Sequence, residues 1–476
     1  MLDWIKSRLP FKKNAHSAGK KQAKTPDIAK RPKVRRAPAN LTATIADARA
    51  LGLDTRRISD NAVRVLQRLN DGGHEAFIVG GCVRDLLLDM RPKDFDIATS
   101  ATPEQVRQVF KHSRIIGRRF RIVHVLFGRE TIEVTTFRAH HDNAAHARDG
   151  SSTDSGLLLR DNVYGSLGED ALRRDFTVNA LYYDAAGQVR DYCDGLADIG
   201  RRQIRMIGEP ELRYREDPVR MLRGVRLAAK LGFTLEKSTA HPIAKLAPLL
   251  NDISNARLFD EMVKLFMGGA AVATFELMLQ HQLFQVLFPQ TAHGLVPGNY
   301  SDRLIRQALA NTDTRLRDNL RVTPAFLCAA LLWHAVQQQV QHALHAGEPP
   351  LQALHKAAHK VLGEQMKRIA IPKRFSQPMQ EIWELQSQLI RRQAGRAEHL
   401  LEHPRFRAAY DFLLLREQAG EDLHGLGHWW TTYQEADITQ REQMLRELQN
   451  TAPSGGKPRR RGGRGRRGPR KEAARE

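Results

Sequence analysis

Hydrophobic and polar positions along this chain follow two different periods, and the change falls near Arg213. Before it, short strand and helix patterns alternate. ISDNAVRVLQRLNDGG has helical spacing, with Ser59 placed as a cap and glycines as a stop. EAFIVGG is an apolar strand ending in two glycines, CVRDLLL a helix and RPK a turn. DFDIATS alternates with period two and predicts a strand. ATPEQVRQVF then opens a helix. Thr102 caps it, Pro103 takes the first helical position and Gln105 stands three residues after the cap, the pattern of a capping box. RIVHVLFG and TIEVTTF predict paired strands. HHDNAAHARDGSSTDSG is polar and patternless and predicts a flexible loop. RRDFTVNALYYD and QVRDYCDG predict two more strands flanking the turn AAGQ. Residues of about 57–205 therefore make a small α/β unit with a mixed sheet.

Beyond Arg213 the strand patterns stop. EDPVRMLRGVRLAAKLG, the long run from ARLFDEMVKLF to HQLFQVLF, TPAFLCAALLWHAVQQQVQHAL and PRFRAAYDFLLLREQAG all carry helical period. The second half is expected to be all-helical. No internal repeat is visible.

Charge divides the chain differently. Of a formal net charge of +22, residues 1–38 carry +10 and residues 457–476 carry +8. Both ends are rich in Lys, Arg, Gly, Pro and Ala and have little to bury, so they are expected to be disordered. PRRRGGRGRRGPRK has the charge density that neutralises nucleic-acid phosphates. At the other end, Leu2, Trp4, Ile5 and Leu9 among basic residues would also suit a short membrane-surface contact over residues 1–13. MLDWIKSRLPFKKN has no apolar leader core, and no run is long enough to span a membrane. The three cysteines, Cys82, Cys193 and Cys328, are far apart, which fits a reducing cytoplasm and no zinc or disulfide framework.

The candidate chemistry centres on KDFDIATS. On a strand, Asp94 and Asp96 project from one face, with Phe95 on the other. Two adjacent carboxylates repel, and a divalent cation such as Mg²⁺ relieves the conflict while leaving positions for substrate phosphates. Alone, the pair is equally a charged surface turn. Its context is a glycine turn, Gly80–Gly81, whose backbone N–H groups suit a phosphate, and Arg84 one turn further on. No P-loop pattern is present. Two acids qualify as a third carboxylate: Glu133 in TIEVTTF, and Asp175 after Arg173 and Arg174. In EDPVRMLR, Asp217, Arg220 and Arg223 are spaced to share a helix face, either as a salt bridge or as a base reader. His140 and His141 beside Asp142 read as a solvated loop cluster rather than a metal site.

FIVGGCVRDLLL, KDFDIATSATPEQV, LRRDFTVNALYYD and REDPVRMLRGVRLAAKLG, in this order, resemble the class II template-independent nucleotidyltransferases. That superfamily holds bacterial poly(A) polymerases and CCA-adding enzymes. IIGRRFRIVHVLFG and the helical segments RLFDEMVKLF, IAIPKRF and LLEHPRFRAAYDFLLLR are similar to the poly(A) polymerase branch. Gly224 and the polar loop look remote from the motif residues. The resemblance implies an α/β nucleotidyltransferase head with a small mixed β-sheet over 41–205, a helical neck over 206–270 and an RNA-binding helical body over 271–450. Basic tails over 1–40 and 451–476 would flank them.

It also implies roles. Asp94 and Asp96 would hold Mg²⁺ (or Mn²⁺), and Asp175 would complete the acids. Gly80, Gly81 and Arg84 would hold the triphosphate. Asp217, Arg220 and Arg223 would face the base and its sugar-phosphate, with Arg174 nearby. The expected activity is transfer of AMP from ATP to RNA 3′ ends, in mRNA processing and RNA decay, by a cytoplasmic monomer. RNA chaperones or RNA-degradation proteins would be its partners. The rivals are a CCA-adding enzyme and a non-catalytic RNA-binding adaptor.

Overall fold

The computed structural model describes residues 41–117, 121–139, 150–152, 158–161, 164–392 and 394–451. The expectations for the two basic ends, the membrane-surface segment and the His140–His141–Asp142 cluster lie outside the described residues.

An eight-stranded sheet organises the first part, in the order β1-β10-β9-β2-β3-β6-β5-β4. Its strands are β1 (Thr44–Asp47), β2 (Ala76–Val79), β3 (Asp96–Thr99), β4 (Ser113–Ile116), β5 (Ile122–Phe127) and β6 (Glu130–Thr136), then β9 (Leu181–Tyr183) and β10 (Gln188–Asp191). Between them β7 (Gly150–Ser152) and β8 (Leu158–Asp161) pair as a separate hairpin, so the polar segment is in part ordered strand. In the main sheet β3 and β6 run parallel and the other neighbours antiparallel, which makes it mixed as expected.

One face is covered by helices α1 (Asp60–Asp71), α2 (Gly81–Leu87) and α3 (Pro103–Val109). Leu66, Val83, Ile97, Val106, Ile132 and Val134 form its core. The other face is covered over β2 and β3 by the helix Leu167–Arg173, where Phe77, Ala98 and Tyr182 meet Leu167 and Ala171. The rest of that face carries the polar residues described below.

Local signals mostly act as read. Thr102 and Gln105 form both halves of the capping box, with Pro103 leading the helix. Gly72 ends α1, but Ser59 does not cap it with its side chain; the hydroxyl bonds Glu130 instead. Gly80 turns β2 into α2 at φ +87°, a conformation that a residue with a Cβ rarely adopts.

Three expectations are corrected. RRDFTVNALYYD is not one strand: Arg173 ends a helix, Thr177–Asn179 make a 3₁₀ turn, and β9 begins only at Leu181. Strands do not stop at Arg213, because β12 (Thr234–Leu235) pairs in parallel with β11 (Gln203–Ile204). The segment EDPVRMLR is not one helix start. Asp217, at φ −150°, separates the helix Pro210–Glu216 from the helix Val219–Leu231.

The helical part packs onto the sheet unit through a shared core. Phe176 and Val178 join Tyr214, Val219, Leu222 and Phe266 in one cluster that continues into the long helix Pro324–His345. A second cluster around Trp430 and Tyr433 closes the C-terminal helices. Of the buried indoles, Trp383 donates to Ala329 O and Trp430 to Leu389 O, while Trp333 Nε1 finds no acceptor among the described residues. Among the described residues no helix is long and apolar enough to cross a membrane, and the three cysteines are free.

Thr102→Ala removes one acceptor of the box that fixes α3 directly behind β3. We expect a loss of about 1 kcal/mol in urea unfolding, with Thr102→Ser close to wild type.

Candidate active site

The polar half of the sheet is built by register. Val79 of β2 lies opposite Asp96, Asp96 opposite Glu133 of β6, and Glu133 opposite His124 of β5. Register partners project from the same face. Asp96 is half-buried at the start of β3, and Phe95 before it is buried in the core on the other side. Asp94 is exposed in the extended lead-in; the strand begins at Asp96, not at Asp94 as the alternation implied. Burial raises the Asp96 carboxyl to about 6, and the charges of Glu133 and Asp94 add to the rise while Arg174 opposes it. His124 Nε2 stands 3.3 Å from Glu133 Oε1.

Arg174 is held by the head itself. Its guanidinium donates to Tyr182 Oη (2.9 Å) and Asp170 Oδ2 (3.1 Å) and lies over the Tyr182 ring. A Cβ added at Gly80 would come within 3.6 Å of Arg174 Nη1 and 3.9 Å of Asn179 O, so the glycine lets the turn pass close to both.

Asn179 belongs to a second group. A cavity of about 180 Å³ is lined by Arg84, Asp175, Asn179, Arg223, Arg226 and Lys230, with Phe176 and Leu227. Arg84 is buried, bonded to Asp85 and to Asn179 Oδ1. Lys230 also faces Asp85, at 3.6 Å. Asp175 accepts from the Phe176 N–H (2.8 Å) and lies 3.7 Å from Arg223 Nη1. Burial pushes the Asp175 carboxyl up, but Arg223, the Phe176 N–H, Asn179 and Arg220 override it and hold it below the usual range. The structure thus sets Asp96 against Glu133, with the charge of Asp94 also reaching Asp96, and places Asp175 among cations.

Of the two readings of Asp217 and Arg220, the mutual salt bridge is not formed. Asp217 accepts from Arg257 (2.7 Å), while Arg220 is buried and donates to Glu216 (2.8 Å) and Arg213 O (2.7 Å). Arg213 in turn donates to the carbonyls of Arg173 and Arg174. Arg257, Arg213, Asn179, Arg226 and Lys230 were not singled out from sequence, where each is an ordinary polar residue. Gly224 does touch a motif: its Cβ position is 3.2 Å from the Phe176 ring, next to Asp175.

A divalent cation fits the donor set. Among the described residues no group of three or more His, Cys, Asp or Glu side chains is placed to hold a metal ion, so the protein's share would come from fewer carboxylates. Mg²⁺ commonly takes only one or two carboxylates and fills its shell with water and phosphate. Such an ion would relieve the part of the Asp96 rise that the charges of Glu133 and Asp94 add to burial.

A mixed sheet bearing clustered acids beside a glycine turn, joined to a helical body, defines the nucleotidyltransferase fold shared with solved CCA-adding enzymes. The Bacillus stearothermophilus CCA-adding enzyme in complex with CTP aligns with a TM-score of 0.51 and 28% identity, over 82% of this chain and 80% of that one. Residues 76–205 match the family described as Poly A polymerase head domain, and 346–467 that described as Polymerase A arginine-rich C-terminus. Residues 232–295 match the family described as Probable RNA and SrmB- binding site of polymerase A. The Poly(A) polymerase I of Escherichia coli O6:H1 is 49% identical over 88% of this chain and 91% of its own length. That of Haemophilus influenzae is 44% identical over 86% and 92%. The chain belongs to the poly(A) polymerase I family. The CCA-adding enzyme of Lactobacillus helveticus is 42% identical, over 47% of this chain and 53% of its own.

Burial pushes Asp217 up, but the hydrogen bond and charge of Arg257, with Arg220 and Arg223, hold it below its ordinary 3.8. A lowered acid stabilises the fold above its unfolded value and loses that contribution as pH falls through the folded one. Arg257→Ala should therefore cost about 1–3 kcal/mol at pH 7. The gap to wild type should close on acidification below about pH 4, read by urea unfolding across pH.

Proposed function

We propose that this chain transfers AMP from ATP to RNA 3′-hydroxyls without a template and releases pyrophosphate. The grouping of Asp94, Asp96 and Glu133 beside the Gly80 turn carries the reading, and family membership over most of the chain supports it. The likeness to a CCA-adding relative spans only about half of this chain, which makes that activity the weaker reading.

Asp94 and Asp96 would hold the metal, and Glu133, in the same row as Asp96, orients the attacking 3′-oxygen. A bound Mg²⁺ or Mn²⁺ supplies Lewis acidity at the hydroxyl and at the triphosphate. The 3′-oxygen bonds to the α-phosphorus of ATP, and the bond to the leaving pyrophosphate breaks. The backbone N–H groups of Gly80 and Gly81 and the cations Arg84, Arg223, Arg226 and Lys230 take up the triphosphate charge. Arg174 screens Asp96 from across the turn. Asp175 holds Arg223 in place, and Asp217 and Arg220 frame the nucleoside from the junction of the two neck helices. Positioning and charge dominate over covalent participation by the protein. The domain boundaries given above, the cytosolic setting favoured by free thiols, and roles in mRNA processing and RNA decay belong to the same proposal.

The test supplies the full chain with ATP alone and an unstructured RNA. Long A-tails are expected; addition that stops after C, C and A, on tRNA only, overturns the reading. Asp94→Ala and Asp96→Ala should abolish incorporation and spare RNA binding. Glu133→Gln should lower kcat at least about a hundredfold. Asp175→Asn should act mainly on the KM for ATP, and the reverse pattern would exchange the two roles.

A further inference from the structure

The row of acids does not end at His124. Arg114 of β4 lies opposite His124 in the antiparallel register. Asp96, Glu133, His124 and Arg114 therefore follow one another across four neighbouring strands on one face. At about 4.8 Å per strand, the row runs roughly 14 Å from the acids to the sheet edge. Its charge changes along the way, from two carboxylates through an imidazole to a guanidinium. Arg114 is exposed and makes no ion pair among the described residues. Two residues on, Ile116 shares its face, is 36% exposed and lies opposite Ile122. An exposed cation at the sheet edge thus stands beside an apolar shelf, on the face that leads to the acids.

An exposed charge on an edge strand often serves only to prevent sheet-to-sheet pairing. That role requires neither alignment with the acids nor an apolar shelf alongside. A nucleic-acid strand uses both, because phosphates seek cations while bases and riboses seek apolar contact. We propose that this ledge seats the last nucleotides of the RNA acceptor. Arg114 pairs with a backbone phosphate upstream of the reacting hydroxyl, His124 spaces that phosphate from Glu133, and Ile116 and Ile122 pack against the nucleoside. The inference rests on the reading of Asp94 and Asp96 as the reacting end.

The experiment pairs Arg114 variants of the full chain with oligoadenylate acceptors in which single phosphates are replaced by neutral methylphosphonates. Arg114→Ala should raise the acceptor KM about tenfold. The loss should lie in that KM rather than in kcat, the KM for ATP should hold, and Arg114→Lys should recover most of it. The slope of log KM against log salt should fall by about 0.7, one single-strand phosphate contact. One methylphosphonate position should reproduce the loss in wild type and add nothing in Arg114→Ala. A wild-type KM and salt slope in Arg114→Ala, or losses that add at every position, overturn the ledge while wild-type extension upholds the function. If the wild type does not extend, the function fails, and the same cycle read by fluorescence anisotropy of labelled acceptor judges the ledge alone.

Discussion

The parallel register of β3 on β6 is the constraint on which the site depends. It sets Asp96 against Glu133, and it is fixed from the opposite face of the sheet, where Ile97 and Val134 are packed in the core. A slip of one residue would turn Ile97 to the polar side and drive Asp96 among Ile78, Ile132 and Val134. Apolar burial on one face thus enforces carboxylate crowding on the other. Asp96, raised to about 6 chiefly by its own burial, records that cost. The head holds a charge conflict in place through packing that has no electrostatic stake in it.

The second constraint joins the head to the helical neck. Arg213 ties the helix Pro210–Glu216 to the carbonyls of Arg173 and Arg174, and Phe176 bridges to Met206. Phe176 also fills the space left by Gly224, so the ring and the missing side chain fix how closely the helix Val219–Leu231 approaches. That approach decides where Arg223 meets Asp175 and where Arg226 and Lys230 enter the cavity. The cations are placed by packing as well as by their pairs with Asp175 and Asp85.

Much of this was legible in the sequence, and the remainder has physical reasons. The capping box, the strand-ending glycines, the β5–β6 pair and the helical second half follow from local chemistry, and local chemistry is what sequence displays. RRDFTVNALYYD looked like a strand because its apolar residues alternate. Their burial comes instead from a helix end, a 3₁₀ turn and a late strand that serve two cores at once. Asp217 and Arg220 have helical spacing, but Asp217 lies at a break between helices, where spacing carries no meaning. Its partner Arg257 is 40 residues away, beyond any local signal. As third acid the sequence favoured Asp175, which follows two arginines, over Glu133, because it does not display which strand lies beside β3.

That choice can be argued from environment. Asp96 and Asp175 are both withdrawn from solvent, and burial alone would raise both. Asp175 is nevertheless lowered, because Arg223, the Phe176 N–H and Asn179 already satisfy its charge. Asp96 stays raised, because burial is the largest influence on it and the charges of Glu133 and Asp94 add to the rise, with Arg174 opposing. Environments that push two acids apart assign them different work. A carboxylate that already has its cation gains little from another, whereas Asp96, beside the charges of Glu133 and Asp94, would gain from one. By that contrast Asp96 lacks the cationic partners that Asp175 already has.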